Sequence, residues 1–190
     1  MKKQIILGIG VTVSIAVSAL AYSFSYPVQG DGSNLEEQLN QFYNRGHSVE
    51  SANHIELYDF ITVGKTKYVL LELNQQIGVA TLVRGITGGY KIERLSTGDG
   101  NFKEWIADSG DKRYLFFGGR NIGSKIASIT FTLEGQAYSM DIPEKPRFFV
   151  HLEMDDRIES NHLDLDTLNF YNNKNEDITN QVDWNGSTVL

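Results

Sequence analysis

Residues 112–154 read KRYLFFGGRNIGSKIASITFTLEGQAYSMDIPEKPRFFVHLEM, and this stretch decides the fold. Apolar and polar side chains alternate within it over residues 127–133, 138–142 and 148–154. Such an alternation is typical of a β-strand that buries one face and exposes the other. Residues 134–136 form a connection of hairpin size, so the pattern predicts an antiparallel β-meander at the centre of the protein.

Outward from this centre, shorter apolar runs separated by turn-forming residues predict further strands. The predicted strands are residues 55–63, 67–73, 79–84, 90–95 and 114–117, with a short, ambiguous one at 102–106 and a closing one at 163–171. Trp105 is expected to fill the core from an edge strand. Gly118 and Gly119 predict a bulge or a tight bend.

One segment near the N-terminus predicts an α-helix. The apolar side chains of residues 35–43 fall on one helical stripe, and Ser33 and Glu36 have the spacing of a capping box. A helix of this length is not stable alone in water. We therefore expect it to dock its stripe onto the sheet.

These patterns predict a mainly β protein, α+β at most. The expected architecture is an antiparallel meander that forms a two-layer sandwich or a strongly curved sheet, with one N-terminal helix packed on it. Residues 31–182 form a single β-rich domain, residues 1–30 precede it as a leader with a linker, and residues 183–190 form a loose tail.

The leader has two interpretations. Lys2 and Lys3 precede an uncharged apolar run, and residues 19–21 (Ala-Leu-Ala) resemble a signal-peptide cleavage site, which predicts secretion after a cut near Ala21. Residues 5–26 are also long enough for a transmembrane anchor, which would tie the protein to a membrane if uncleaved. Both interpretations place the β-rich domain outside the cytoplasmic membrane.

Composition narrows the classes of function. The formal net charge is −7, so phosphate backbones are repelled and nucleic acid is not an expected partner. The same charge repels an anionic wall polymer. The absence of cysteine excludes thiol catalysis, disulfides and thiolate metal sites. No cofactor is predicted.

Three side chains on the third alternating strand form the candidate binding surface. Phe149, His151 and Glu153 share the polar face of that strand. An outward aromatic side chain on a sheet marks either a partner or an element that covers it, and the predicted helix is one such cover.

The same strand also offers candidate metal ligands. His151 and Glu153, with His162 approaching from the next loop, have donor groups that zinc accepts. Polar residues on an exposed sheet face need no ligand, however, so a solvated face remains the alternative.

A set of motifs within residues 58–154 gives the chain a resemblance to known proteins. The motifs are Gly118-Gly119-Arg120-Asn121, Lys125-Ile126, Tyr138 and Arg147-Phe148-Phe149-Val150. With its apolar leader, the chain resembles small exported or single-pass membrane-tethered β-rich proteins of bacilli and related Firmicutes. The resemblance implies one extracytoplasmic domain and carries over no catalytic residue.

Two hypotheses of function follow. The first is a non-enzymatic binding or accessory module of the bacterial cell envelope, which contacts a protein or a cell-wall component through its sheet face. The second is a small metal-dependent hydrolase that uses His151, Glu153 and nearby acidic residues such as Asp155.

Overall fold

The computed structural model describes residues 21–22, 24–45 and 53–184. The predicted leader lies largely outside these residues, as do residues 185–190 of the predicted tail. Helix α1 spans Leu35–Tyr43. The strands are β1 (Ile55–Val63), β2 (Thr66–Leu73), β3 (Gln76–Arg84), β4 (Tyr90–Gly98), β5 (Phe102–Ser109), β6 (Lys112–Arg120), β7 (Ser128–Leu133), β8 (Gln136–Asp141), β9 (Arg147–Glu153) and β10 (Asn169–Tyr171).

The strands form three antiparallel sheets. Sheet A has the order β1-β2-β3-β4, sheet B the order β5-β6-β9, and sheet C the order β10-β7-β8. The predicted fold class is thereby confirmed: the protein is mainly β and antiparallel, with one N-terminal helix packed on a sheet. The structure adds a third sheet to the two that were expected.

The predicted meander differs in its third strand. β7 pairs with β8 through the two-residue turn Glu134-Gly135, but β9 pairs with β6 and belongs to another sheet. Pro143 and Pro146 lie between β8 and β9, and proline cannot donate to a ladder. The chain therefore changes sheets at this connection.

The layers follow the order α1, sheet A, sheet B, sheet C. Leu35 and Leu39 of α1 pack on the face of sheet A that carries Val69, Leu71 and Leu82. The opposite face of sheet A contacts sheet B in what we call the A–B interface, and the second face of sheet B contacts sheet C in the B–C interface. The buried members of the A–B interface are Tyr68, Leu70, Ile77, Val79, Phe116 and Phe149. The B–C interface buries Phe102, Leu115, Phe117, Ile126, Ile129, Phe131, Leu133, Met140, Ile142, Phe148, Met154, Ile158, Leu163, Leu168, Phe170 and Ile178.

The central strand of sheet B is β6, which is covered on both faces. Its residues 115–119 are all buried, because Phe116 faces sheet A while Leu115 and Phe117 face sheet C. A strand buried on both faces reads as a continuous apolar run and not as an alternation. Sequence periodicity therefore did not show that β6 is the central strand of sheet B.

The predicted bend at Gly118 and Gly119 is wrong. Both residues lie in the regular ladder of β6, paired with β5 on one side and with β9 on the other. A Cβ atom at Gly118 would lie 2.9 Å from Phe149 Cδ2 and 3.2 Å from Leu70 Cδ1. This glycine is explained by the close approach of sheet A to sheet B.

The start of α1 differs in detail from the predicted capping box. Asn34 occupies the N-cap position, and its side chain makes no capping bond. Instead, Asn34 Oδ1 accepts a hydrogen bond from the Gln29 N–H (2.8 Å), and its Nδ2 donates to the Pro27 carbonyl (2.9 Å). The linker before α1 is thereby fixed to the helix.

The C-terminal part of the domain closes the B–C interface. The predicted strand at residues 163–171 is shorter than expected, because a 3₁₀ turn (Leu165–Thr167) precedes β10. Asp177 accepts a hydrogen bond from the Thr179 N–H (2.9 Å), and a 3₁₀ turn follows over Thr179–Gln181. Trp184 then packs against the ring of Phe102, 5.3 Å away between centroids.

Candidate functional site

A large cavity lies at the edge of sheet A that is formed by β4. β9 lies against β1 and β5 lies against β3, whereas β4 is the edge strand beyond them. The space beside β4 is a cleft of about 940 Å³. We call it the β4–β5 cleft, and its lining residues are Phe42, Arg45, Tyr68, Thr81, Lys91, Ile92, Glu93, Arg94, Trp105, Ile106, Ala107 and Asn161.

Aromatic rings form the floor of the β4–β5 cleft. The indole of Trp105 stacks on Phe116 with 5.0 Å between centroids and 7° between planes. The Tyr68 ring lies 4.2 Å from the same phenylalanine. Because Phe116 is fully buried between the sheets, it holds both rings in place. Trp105 stands on the edge strand β5 and is half-buried, as expected from the sequence.

Charged side chains form the rim of the cleft. Arg45, Lys91 and Arg94 bring three positive charges, against one negative charge from Glu93. A side chamber of about 110 Å³, which shares Thr81, Arg94 and Trp105 with the cleft, adds Lys103 and Glu104. In the part of the chain that the structure describes, none of these six charged side chains makes an ion pair.

The environment of the cleft changes the acidity of two of its groups. Burial raises the pKa of the Tyr68 hydroxyl, and the nearby carboxylates of Asp108 and Glu93 raise it further. Burial also raises the pKa of Glu104, against the smaller opposing effect of His162 and Lys103. In both groups the main cause is burial, which disfavours the charged form.

The predicted binding surface on β9 is divided by the structure. Phe149 is buried in the A–B interface, so its cover is sheet A and not the helix that the sequence suggested. His151 is exposed and lies 5.9 Å from the Phe116 ring. Glu153 accepts a hydrogen bond from Lys112 Nζ (2.6 Å) on the neighbouring strand. Phe149 is therefore not available to a partner, whereas His151 and Glu153 are.

The predicted metal ligands do not form a group. Among the described residues, no three His, Asp or Glu side chains lie together in a way that could hold a metal ion. His162 lies close enough to Glu104, on edge strand β5, to lower its pKa, whereas His151 and Glu153 stand on the opposite edge strand, β9. The nearby acid Asp155 is held by Arg157, which donates from Nη2 over 2.7 Å and lowers the pKa of the carboxyl.

Sequence reasoning missed an ion cluster on the β1–β9 side of the A–B interface. Glu72 lies 3.0 Å from Arg120 Nη2 and 3.3 Å from Arg147 Nη2, and the Tyr58 hydroxyl lies 3.1 Å from the same carboxylate. Burial alone would raise the pKa of Glu72, but the bonds and charge of Arg120, with smaller effects of Tyr58 and Arg147, lower it overall. Burial and the contact with Glu56 raise the pKa of Tyr58 to about 12.

A second cavity, of about 470 Å³, lies beside the loop that follows β6. The side chain of Asn121, a buried residue that lines this cavity, donates from Nδ2 to the Ile126 carbonyl and accepts through Oδ1 from the Ile126 N–H, both at 2.9 Å. The guanidinium of Arg120, another lining residue, is bonded to Glu72 and to the Gln75 carbonyl. Because these polar groups already have protein partners, this cavity offers a ligand less than the β4–β5 cleft does.

The fold and the cleft together define a class: a mainly β domain of stacked antiparallel sheets with an aromatic-floored cleft at one edge. No protein-family model, curated protein or solved structure matches this chain. No helix among the described residues is both long enough and apolar enough to cross a membrane. Function is therefore inferred from the chemistry of the described side chains.

Proposed function

We propose that the protein is a non-enzymatic binding module of the bacterial cell envelope and that its ligand lies in the β4–β5 cleft. The observation that carries this proposal is the half-buried indole of Trp105 in the open space beside β4, supported from below by the buried rings of Tyr68 and Phe116. Ligand sites in proteins are concave, have volumes of about 300–1,000 Å³, and combine apolar contact area with a few polar groups. The β4–β5 cleft lies within this volume range, and its lining is divided equally between apolar residues and polar or charged ones.

The floor supports binding because its rings are already positioned. Trp105 and Tyr68 pack on Phe116, so a ligand does not have to order them. Rigid aromatic side chains give a large contact area at a low entropic cost, which is why they dominate binding energies. The cleft replaces the β9 surface that the sequence suggested.

The extracytoplasmic location is part of the same proposal and rests on the predicted leader. Tyr22 and Tyr26 stack on each other, 4.6 Å apart, and the Tyr22 hydroxyl accepts a hydrogen bond from the Ile86 N–H of the β3–β4 loop. This contact places Tyr22 against the folded domain and is compatible with both a cleaved and a retained leader. Mass spectrometry of the protein from its host tests the point. Tyr22 as first residue is the expected result, and a retained Met1 or Lys2 would favour the membrane tether instead.

A sedimentation assay with purified Gram-positive cell walls tests the binding function. The full-length protein should sediment with the walls, and Trp105→Ala should remain in the supernatant because the floor is lost. Phe60→Ala is the matched control, because Phe60 is exposed (63%) and lies outside the cleft. Equal sedimentation of all three proteins, or of none, would contradict the proposal.

A second variant distinguishes a loss of binding from a folding defect in Trp105→Ala. Thr81 is half-buried at the junction of the cleft and its side chamber. Thr81→Gln narrows this junction while Trp105 stays in place, so it should also weaken sedimentation. Circular dichroism of each variant shows that the fold is kept. A folded Thr81→Gln variant that sediments like the wild type would place the ligand elsewhere.

A further inference from the structure

The charges on the rim of the β4–β5 cleft oppose the charge of the whole chain. The protein carries a net charge of −7, yet Arg45, Lys91 and Arg94 outnumber Glu93 around the cleft. At physiological ionic strength, charges more than about 8 Å apart are largely screened from each other. A ligand inside the cleft therefore responds to these local cations more than to the net charge.

The cations of the rim are also available. The structure gives Arg113, Arg120, Arg147 and Arg157 carboxylate partners, whereas the described part of the chain gives none to Lys91 or Arg94. Both side chains are exposed at the edge strand β4. An unpaired guanidinium binds a carboxylate or a phosphate group with two parallel hydrogen bonds, without first breaking an internal ion pair.

The floor and the rim select different parts of one ligand. The flat indole of Trp105 suits the apolar face of a sugar ring, and the rim suits acidic groups that repeat along a chain. The side chamber continues the cleft past Arg94 to Lys103 and Glu104, so cations still outnumber carboxylates along the combined length. An extended ligand with alternating rings and negative charges matches this arrangement.

We propose, on the basis of the binding function above, that the β4–β5 cleft takes an anionic wall glycopolymer. Sugar rings lie on Trp105, and carboxylate or phosphate groups contact Arg94, Lys91 and Arg45. The net charge of the chain predicts repulsion of such a polymer, and the local cations reverse that prediction inside the cleft.

Tryptophan fluorescence provides the direct test. The chain contains two tryptophans, Trp105 in the cleft and Trp184 in the B–C interface. In a Trp184→Phe variant of the full chain, Trp105 is the only indole, so its emission reports on the cleft. The probes are oligogalacturonate for sugar carboxylates, ribitol-phosphate oligomers for phosphates, neutral chitotetraose and poly-L-glutamate.

The expected result is a change of emission with at least one anionic carbohydrate probe, weaker at higher salt. Whichever of the two anionic probes binds more tightly identifies the acidic group. Arg94→Gln should weaken that binding about threefold to fivefold, since an exposed ion pair contributes up to about 1 kcal/mol. The double variant Lys91→Glu, Arg94→Glu should weaken it about tenfold or more. Arg157→Gln is the matched control, because Arg157 is an exposed arginine paired with Asp155 outside the cleft.

Other results overturn the inference in distinguishable ways. If chitotetraose binds and Arg94→Gln does not weaken its binding, the protein remains a binding module, but its ligand is neutral. Preference for poly-L-glutamate would make the partner an acidic protein. Both proposals would be contradicted if no probe changed the emission of Trp105 and if the Trp105→Ala variant sedimented with cell walls as the wild type does.

Discussion

The two faces of sheet B differ in how they are closed. Towards sheet C, the interface is sealed around Phe117, against which Trp184 packs, and the cavity of about 470 Å³ lies at its edge beside Phe102 and Ile178. Towards sheet A, the interface is mainly aromatic and ends on one side in the β4–β5 cleft and on the other in the Glu72 ion cluster. One strand, β6, supports both interfaces through alternate residues. The comparison indicates that stability is concentrated in the sealed interface, whereas the open interface is available for binding.

The largest loss of stability is expected from a substitution in the sealed part of the B–C interface. Phe117 is fully buried there, and Phe117→Ala should lower the free energy of unfolding by about 4 kcal/mol through lost apolar contact and the cavity left behind. Phe116→Ala, on the opposite face of β6, should cost about 1 kcal/mol less, because the adjacent cleft lets the site collapse or admit water. Urea denaturation of both variants measures the difference. Equal costs would remove the distinction between a sealed and an open interface.

The second largest loss of stability is expected when the Glu72 ion cluster, on the side of the A–B interface away from the cleft, loses its carboxylate. Glu72→Gln leaves Arg120 and Arg147 without their counter-charge, and we expect a loss of about 2 to 3 kcal/mol at pH 7, allowing for the partial exposure of these groups. The folded-state pKa of Glu72 lies below its ordinary value of 4.5. Its contribution to stability is therefore complete above about pH 4.5 and declines as the pH falls through the lowered value.

Urea denaturation as a function of pH checks this prediction. The difference between wild type and Glu72→Gln should be constant near neutral pH and should shrink below about pH 4.5. Glu153→Gln is the control, because its ion pair with Lys112 is about half exposed and is expected to contribute little. A difference that stays constant down to pH 3 would show that the charge of Glu72 is not responsible.

A smaller effect tests how closely sheets A and B approach each other. Gly118→Ala places a methyl group against Phe149, Leu70 and the carbonyl of Phe148, and we expect a loss of about 1 to 3 kcal/mol from overpacking. Gly100→Ala is the control, because its added Cβ would have no atom closer than 3.4 Å. Thermal denaturation of the two variants compares them. A Gly118→Ala variant as stable as the wild type would mean that the sheets lie further apart.

The smallest expected effect concerns the rim of the cleft. Arg94 is exposed and has no ion-pair partner among the described residues, so Arg94→Gln should change the free energy of unfolding by less than about 0.5 kcal/mol. Binding and stability are then separable at this position. A loss of more than about 1 kcal/mol in urea denaturation would assign Arg94 a structural role instead.

The sequence predicted those elements whose pattern is local. Alternation located β7 and β9 to within a residue or two, and the stripe of residues 35–43 located α1. Residues 134–136 were predicted as a hairpin connection; the structure narrows it to the turn Glu134-Gly135, whose two positive φ angles suit a type I′ turn. Trp105 was predicted at an edge. Each of these predictions depends on residues close together in the chain.

The candidate site was less predictable. Alternation placed Phe149 on the same face as His151 and Glu153, which is correct, but it did not show that sheet A covers Phe149 and leaves His151 exposed. The β4–β5 cleft gathers Arg45, Trp105 and Asn161 from distant segments, and no spacing in the sequence links them. The Glu72 cluster likewise joins the β1–β2 hairpin to β6 and β9, which come much later in the chain.

Local periodicity was enough to predict a mainly β, antiparallel protein with one docked helix, because strand and helix periodicities are set by neighbouring residues. The packing of the sheets was needed to show which face each sheet buries, that β6 is central to sheet B, and that cations collect at one edge of an acidic protein. The physical reason is that burial and local charge depend on the layers stacked against a strand. Those layers are formed by segments that the chain brings together only on folding.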